Sequence, residues 1–283
     1  MAKTWLVLDC NFLGHRSLHT SGELTFEGVQ TGTIFGFLNQ VLDLQEMFGT
    51  GDVVFAFDSK TSRRKKIFPA YKQKRHSKDL TEEERAALDE FRVQMKRLRK
   101  LLLPSLGFSN VLQVKGLEAD DIIASVTQRS LGPADSAIIV TADHDLLQLV
   151  SEQVMFYNPN KRQRVTLQNF QHITGVRRPA QWTKVLEIAG CRTDEVPGVG
   201  GVGEKTAVQY INGLLKPESK KYKTIVGGGT IRELNQRLTC LPFAGTPSFT
   251  LQRSVLCREQ WDRVCEELGF RSLRKRQFYP PSK

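Results

Sequence analysis

At 283 residues, with 40% hydrophobic and 25% charged side chains, the chain has the make-up of a water-soluble globular protein, not of a fibrous or low-complexity one. No apolar run approaches the ~18 residues of a membrane span, and the apolar stretch Trp5–Leu8 is closed at once by Asp9, which argues against a secretory leader. Lys and Arg (41) exceed Asp and Glu (30) by 11, a basic surplus that favours a polyanionic partner through phosphate neutralisation and counterion release.

Residues 4–9 (TWLVLD) read as a short buried strand ending in Asp9. From Thr33 to about Met47 the spacing of Ile34, Phe37, Leu38, Val41, Leu42 and Leu44 predicts a helix. Asp52–Asp58 (DVVFAFD) is a second strand, closed by Asp58. Between Ser59 and Lys78 there is no acidic residue, whereas Lys60, Arg63, Arg64, Lys65, Lys66, Lys72, Lys74, Arg75 and Lys78 are basic. Thr81-x-x-Glu84 then supplies a capping box for a helix running to about Leu103, before Pro104. A further helix is expected from Glu118 to about Arg129, and Ser136–Thr141 (SAIIVT) is a third strand, followed by Asp143. This alternation predicts an α/β fold with a mostly parallel sheet flanked by helices. Val154–Tyr157 and Arg164–Thr166 read as a hairpin about Asn158-Pro159-Asn160.

From about residue 176 helices and glycine turns take over. The expected division is an acidic α/β core over 1–175, with a basic arch over 60–90, and a helical unit over 176–283. Gly227–Gly229 and Leu241–Pro247 read as loops. The five cysteines (Cys10, Cys191, Cys240, Cys257, Cys265) are odd in number and contain no C-x-x-C, so free thiols in a reducing, cytoplasmic setting are expected. His15 and His19, at i and i+4, have no evident third ligand and are assigned to a surface or DNA-facing helix, and the three tryptophans to the core or interfaces.

Asp9, Asp58 and Asp143 each follow a predicted parallel strand, and ligands of open α/β sheets bind beyond the carboxyl ends of the strands. Glu118, Asp120 and Asp121 open a helix, where the macrodipole favours negative charge. Asp145 and Asp194 complete a set of eight acids. Gathered in one crevice they would repel unless cations lay between them. Hard oxygen ligands suit Mg²⁺ or Mn²⁺, and a pair of ions ~4 Å apart is a common arrangement for displacement at phosphorus. A lone Asp after a strand is adequately explained as a helix cap; the recurrence at equivalent topological positions is not.

The stretches LVLDCN (6–11), TGTIFGFLN (31–39), VFAFD (54–58), RKKIFPAYKQKR (64–75), GLEADDIIA (116–124), TADHDLLQL (141–149), YNPNKRQRVT (157–166), VPGVGGVGEKTA (196–207) and LGFRSL (268–273), in this order, resemble the 5′-nucleases. That family includes the nuclease domain of bacterial DNA polymerase I, phage 5′-exonucleases and flap endonucleases. The resemblance implies a PIN-like core with a helix–three-turn–helix subdomain and metal-dependent 5′-3′ exonuclease and flap endonuclease activity. Asp9, Asp58, Glu118 and Asp120 would hold a first ion, with Asp121 directly or through water. Asp143 would lie between the sites, and Asp145 and Asp194 would belong to a second. Arg64, Tyr71, Lys72 and Arg75 fall on the family's arch: Arg64, Lys72 and Arg75 as catalytic cations, the last two sharing a helix face, and Tyr71 at the DNA. Val199, Gly201, Val202, Gly203, Lys205 and Thr206 would grip duplex DNA, with K⁺ at the turn.

One position departs from the pattern. The family's Gly-Asp-x-x-Asp reads Gly190-Cys191-Arg192-Thr193-Asp194 here, and the softer cysteine weakens the second site for Mg²⁺. The expected protein is a free-standing nuclease, a monomer with no membrane association, acting on branched or 5′-ended duplex DNA in the nucleoid or, if phage-encoded, in a host's cytoplasm. A DNA-binding protein with weakened catalysis and an RNA-cutting relative are the alternatives.

Overall fold

The computed structural model describes residues 2–73 and 80–278. Its centre is β1 (Thr4–Asp9), followed by α1 (Cys10–Ser21), the short pair β2 (Thr25–Phe26) and β3 (Val29–Gln30), and α2 (Gly32–Phe48). Next come β4 (Val53–Ala56), α3 (Arg64–Ile67), α4 (Glu82–Arg97), α5 (Leu103–Ser105), β5 (Val111–Leu112), α6 (Ala119–Arg129) and β6 (Ser136–Val140). After a 3₁₀ turn (His144–Leu149), β7 (Val154–Asn158) and β8 (Gln163–Val165) close the sheet. The remainder is helical: α7 (Phe170–Thr174), α8 (Pro179–Ala189), α9 (Glu204–Ile211), α10 (Lys220–Gly227), α11 (Gly229–Thr239), α12 (Arg258–Glu267) and α13 (Arg271–Arg274).

The sheet order is β5-β4-β1-β6-β7-β8, parallel throughout except for the β7–β8 pair. Strands buried on both faces read as continuous apolar runs, because alternate side chains enter two different cores. Trp5 and Val7 of β1, Val54 and Ala56 of β4, and Ala137 and Ile139 of β6 pack with α6 and α8. Leu6, Leu8, Val53, Phe55, Ile138 and Val140 pack on the opposite side with α1, α2, α4 and α12. Both cores therefore draw on residues from either side of position 176, and the change of architecture there is not a break in packing.

The capping box forms: the Thr81 hydroxyl accepts from Glu84 N (3.2 Å) while Glu84 returns a carboxylate to Thr81 N (3.0 Å). The helix it starts widens into a π turn over Leu98–Leu102 before Pro104, whose ring would clash with the Lys100 carbonyl in a regular turn. Among the strands, β5 and the β2–β3 hairpin, whose Glu27-Gly28 turn has φ of 51° and 77°, escape sequence reading because each strand is only two residues long. The loop expected at Gly227–Gly229 narrows to Gly228 alone between α10 and α11. A Cβ there would come within 2.6 Å of Val199, so glycine lets this junction close onto the turn before α9.

Candidate active site

Register brings the strand ends together. Asp9 lies opposite Ala56 and Leu8 opposite Val140, so Asp9, Asp58 and Asp143 leave the sheet at the same rim, where the sheet extends from β1 to β4 on one side and to β6 on the other. Each acid also caps a backbone N–H further along the chain. Asp9 accepts from Phe12 N (3.0 Å) at the start of α1, Asp58 from Ala119 N (2.7 Å) at the start of α6, and Asp143 from Asp145 N (2.8 Å). Capping and a role at the rim are thus compatible, since the cap fixes the direction in which the carboxylate points. Asn11 and Thr141, to which sequence reading assigns no role, hold the set in place. Asp58 N donates to Asn11 Oδ1 (3.1 Å), and the Thr141 hydroxyl donates to Asp9 Oδ2 (2.9 Å) while accepting from Asp143 N (3.1 Å). Their signal is positional: each lies two residues from a rim aspartate.

A cavity of about 740 Å³ opens at this rim, lined by Asp9, Asp58, Asp120, Asp143, Asp145, Lys72 and Cys191. Phe12 and His15 form part of its wall, and His15 stacks on Phe91 with ring centroids 4.4 Å apart. Burial, followed by the charges of Asp58 and Asp143, pushes the Asp9 carboxyl up to about 7. Burial and then Asp143 and Asp194 push Asp145 up to about 8. Asp120 and Asp143 are raised for the same reasons, burial first. A pocket that holds protons on carboxyls at neutral pH is short of positive charge. Divalent cations fit the chemistry of this donor set: hard oxygens lining one cavity, in excess of the local cations.

The base of the expected arch differs from the sequence reading. Arg64 is buried (3% exposed), and its guanidinium makes two 2.7 Å bonds to Asp121 and a third, from Nε, to the Leu238 carbonyl. Asp121 also accepts from the backbone N–H of Glu118 and of Phe243. With four donors on two oxygens it has little capacity left for a cation, and neither Arg64 nor Asp121 lines the cavity. Tyr71 is buried as well; its hydroxyl lies 3.0 Å from Glu118 Oε2 and 2.8 Å from Asp194 Oδ2, so it orients acids from within the protein, where sequence reading places it at the DNA. Lys72, expected on a helix face, has φ of +52° at the end of a turn and is not helical. Arg75 itself lies outside the described residues. Lys72 Nζ reaches Glu118 Oε2 at 2.6 Å and Asp194 Oδ2 at 3.2 Å. Burial alone would raise Glu118, but the charges of Lys72 and Arg64 hold it below its usual range.

Among the described residues, one group of three brings ligand atoms within 4.8 Å of one another: Asp145, Cys191 and Asp194. This close spacing falls at the position where Cys191 stands in place of the family's usual aspartate. A neutral thiol does not repel its neighbours, whereas the carboxylates of the other set repel one another and Glu118 is drawn towards Lys72 and Tyr71.

Beside the cavity, Val199–Thr206 turns from the end of α8 into α9. Val199 and Val202 are buried, and their N–H groups bond to Ile188 O and Val199 O, so these two shape the turn from inside. Thr206 N is likewise taken up by Gly203 O. Gly201, Gly203 and Lys205 are exposed. Gly201, at φ +69°, needs the freedom of glycine, and Lys221 Nζ donates to its carbonyl at 3.1 Å.

The raised carboxyls have a consequence for stability. Asp9 and Asp145, near 3.8 when unfolded, hold protons in the folded protein to about 7 and 8, so the folded state binds more protons in between. Their stabilisation is complete below pH 3.8 and is lost as pH rises through these folded values. In EDTA the melting temperature contributed by this site therefore falls as pH rises from about 5 to 8.5. Mg²⁺, which replaces those protons, raises the melting temperature more at the alkaline end. Melting curves in EDTA and in Mg²⁺ across this range check it; two parallel pH profiles would show that the acids and the cation are not linked.

A profile of the 5′-3′ exonuclease N-terminal resolvase-like domain matches residues 4–175. A 5′-3′ exonuclease of Aquifex aeolicus is 32% identical over 211 residues, covering 74% of this chain and 69% of that protein. DNA polymerase I of Mycobacterium tuberculosis is 30% identical over 297 residues, covering 97% of this chain but only 31% of the relative, so the chain spans about a third of that polymerase. The structure of bacteriophage T5 5′-exonuclease with zinc bound superposes with a TM-score of 0.72 at 20% identity, over 85% of this chain and 90% of the phage chain.

Proposed function

This chain belongs to the 5′-3′ exonuclease family, and from that premise we propose that it hydrolyses DNA phosphodiester bonds at free or branched 5′ ends with divalent cations. The observation that carries this reading is the convergence of Asp9, Asp58, Asp120, Asp143 and Asp145 on one cavity that also holds Lys72. Asp9, Asp58, Glu118 and Asp120 would hold one cation, Asp145 and Asp194 a second, with Asp143 between. Bound there, a divalent ion supplies Lewis acidity at the phosphate and a more acidic water. The phage relative's zinc is consistent with ions of this charge.

The protein's own groups do the rest. Lys72 stabilises negative charge building on the phosphate oxygens. Tyr71 and the Arg64–Asp121 pair hold the acids and the arch base in position. Gly201, Gly203 and Lys205 grip a duplex flank through phosphates, without reading its sequence. At that turn the Lys221 ammonium, on the Gly201 carbonyl, supplies positive charge that a K⁺ ion would otherwise bring.

A labelled 5′-flap duplex incubated with Mg²⁺, Mn²⁺ or EDTA tests the reading. Cleavage at the branch in either metal, abolished by EDTA, is the expected result. Binding without cleavage in both metals would leave a DNA-binding protein, and faster cutting of RNA than of flap DNA would move the substrate class.

A further inference from the structure

We propose that Asp145, Cys191 and Asp194 form a mixed sulfur–oxygen cation site that takes Zn²⁺ and softer divalent ions in preference to Mg²⁺. Resting on the nuclease reading for its use, the site gives the second ion position a metal selectivity unlike that of the all-carboxylate first position.

The three ligand atoms lie within 4.8 Å of one another. Zinc ligands stand at about 2.3 Å for sulfur and 2.0–2.2 Å for oxygen, so a shared ion needs only a small inward shift of side chains. Each residue reaches the site from a separately fixed backbone. Asp145 N is held by Asp143 Oδ1 at 2.8 Å. Cys191 is pinned by a two-bond bridge to Val196 (3.1 and 2.9 Å), and the Asp194 carbonyl accepts from Lys72 N at 3.0 Å. Gly190 sets the turn that presents the thiol: its φ is +67°, and a Cβ there would come 2.3 Å from the Val196 carbonyl. Asp145 and Cys191 both line the large cavity, so an ion enters from solvent.

The donor chemistry decides the metal. Mg²⁺ requires oxygen ligands in near-octahedral order and keeps its waters, whereas thiolate favours zinc and softer ions. One sulfur among two carboxylates leaves coordination positions for water or a phosphate oxygen, as an open catalytic site does. The four other cysteines do not enter the group.

Titration of the DNA-free 283-residue chain with Cd²⁺ reads the site directly. The expected result is a sulfur-to-metal charge-transfer band that saturates at one equivalent and disappears in Cys191→Ser. Zn²⁺ should displace Cd²⁺ at least ~100-fold more effectively than Mg²⁺. Calorimetry on Cys191→Asp should show Mg²⁺ binding at least ~10-fold tighter than in the parent, with the band absent. A band unchanged in Cys191→Ser, or Mg²⁺ competing as well as Zn²⁺, overturns the proposal. A Cys191-dependent band in a protein that never cuts DNA supports the site while counting against the nuclease reading; cleavage with no such band overturns the site alone.

Discussion

Asp120→Ala should abolish flap cleavage, by on the order of 10³-fold or more, equivalent to about 4 kcal/mol of transition-state stabilisation. The ion-free variant should nonetheless melt higher than the parent. Asp120 sits in the first turn of α6, where the helix dipole favours a carboxylate by less than about 1 kcal/mol. Burial and the charges of Asp143, Asp9 and Asp58 outweigh that benefit, since the group is raised well above its ordinary value. Removing it relieves repulsion, and alanine suits the helix. It also opens onto an existing cavity, so no closed void results. A merely structural aspartate would give the opposite pair, a lower melting point with cleavage largely kept. Single-turnover cleavage in Mg²⁺ and melting in EDTA separate the two, and DNA affinity should hold or rise as negative charge is lost.

Much of the rim was readable from the chain because the physics behind it is local. TWLVLD, DVVFAFD and SAIIVT are short apolar runs that have no stable place except in a covered parallel sheet, and each ends in an acid or meets one within three residues. The partition of roles among those acids was not readable. Asp120 and Asp121 are adjacent and chemically identical, yet one faces the cavity and the other is bound by Arg64. What selects between them is helix rotation plus the Leu238 carbonyl, 174 residues from Arg64, and no local pattern encodes that contact. The same holds for Tyr71, which reads as an arch residue by position but reaches Asp194, 123 residues away. Family resemblance supplies the order of motifs; it does not say which side chain satisfies which once Cys191 stands where an aspartate is usual.

Lys72→Met should lower the rate of cleavage by about 10²- to 10³-fold, comparable with removal of one donor to a developing oxyanion, while tightening Mg²⁺ binding in the absence of DNA. In the ion-free protein the Lys72 ammonium bridges Glu118 and Asp194, two acids assigned here to different cations. An entering ion must therefore compete with a charge already on those oxygens, and removing the lysine removes the competitor. The pair is largely buried, so loss of the cation leaves Glu118 without its nearest partner and lowers the melting point in EDTA. Mg²⁺ should restore it, because a divalent ion serves Glu118 as the ammonium did. Methionine keeps much of the length of the stem, and the φ of +52° costs it about what it costs lysine, so backbone strain does not separate the variants. Calorimetric Mg²⁺ titration, run beside single-turnover kinetics, distinguishes the two roles open to the lysine. Weaker Mg²⁺ binding in Lys72→Met would mean that the lysine organises the acids and does not stand in for a cation among them.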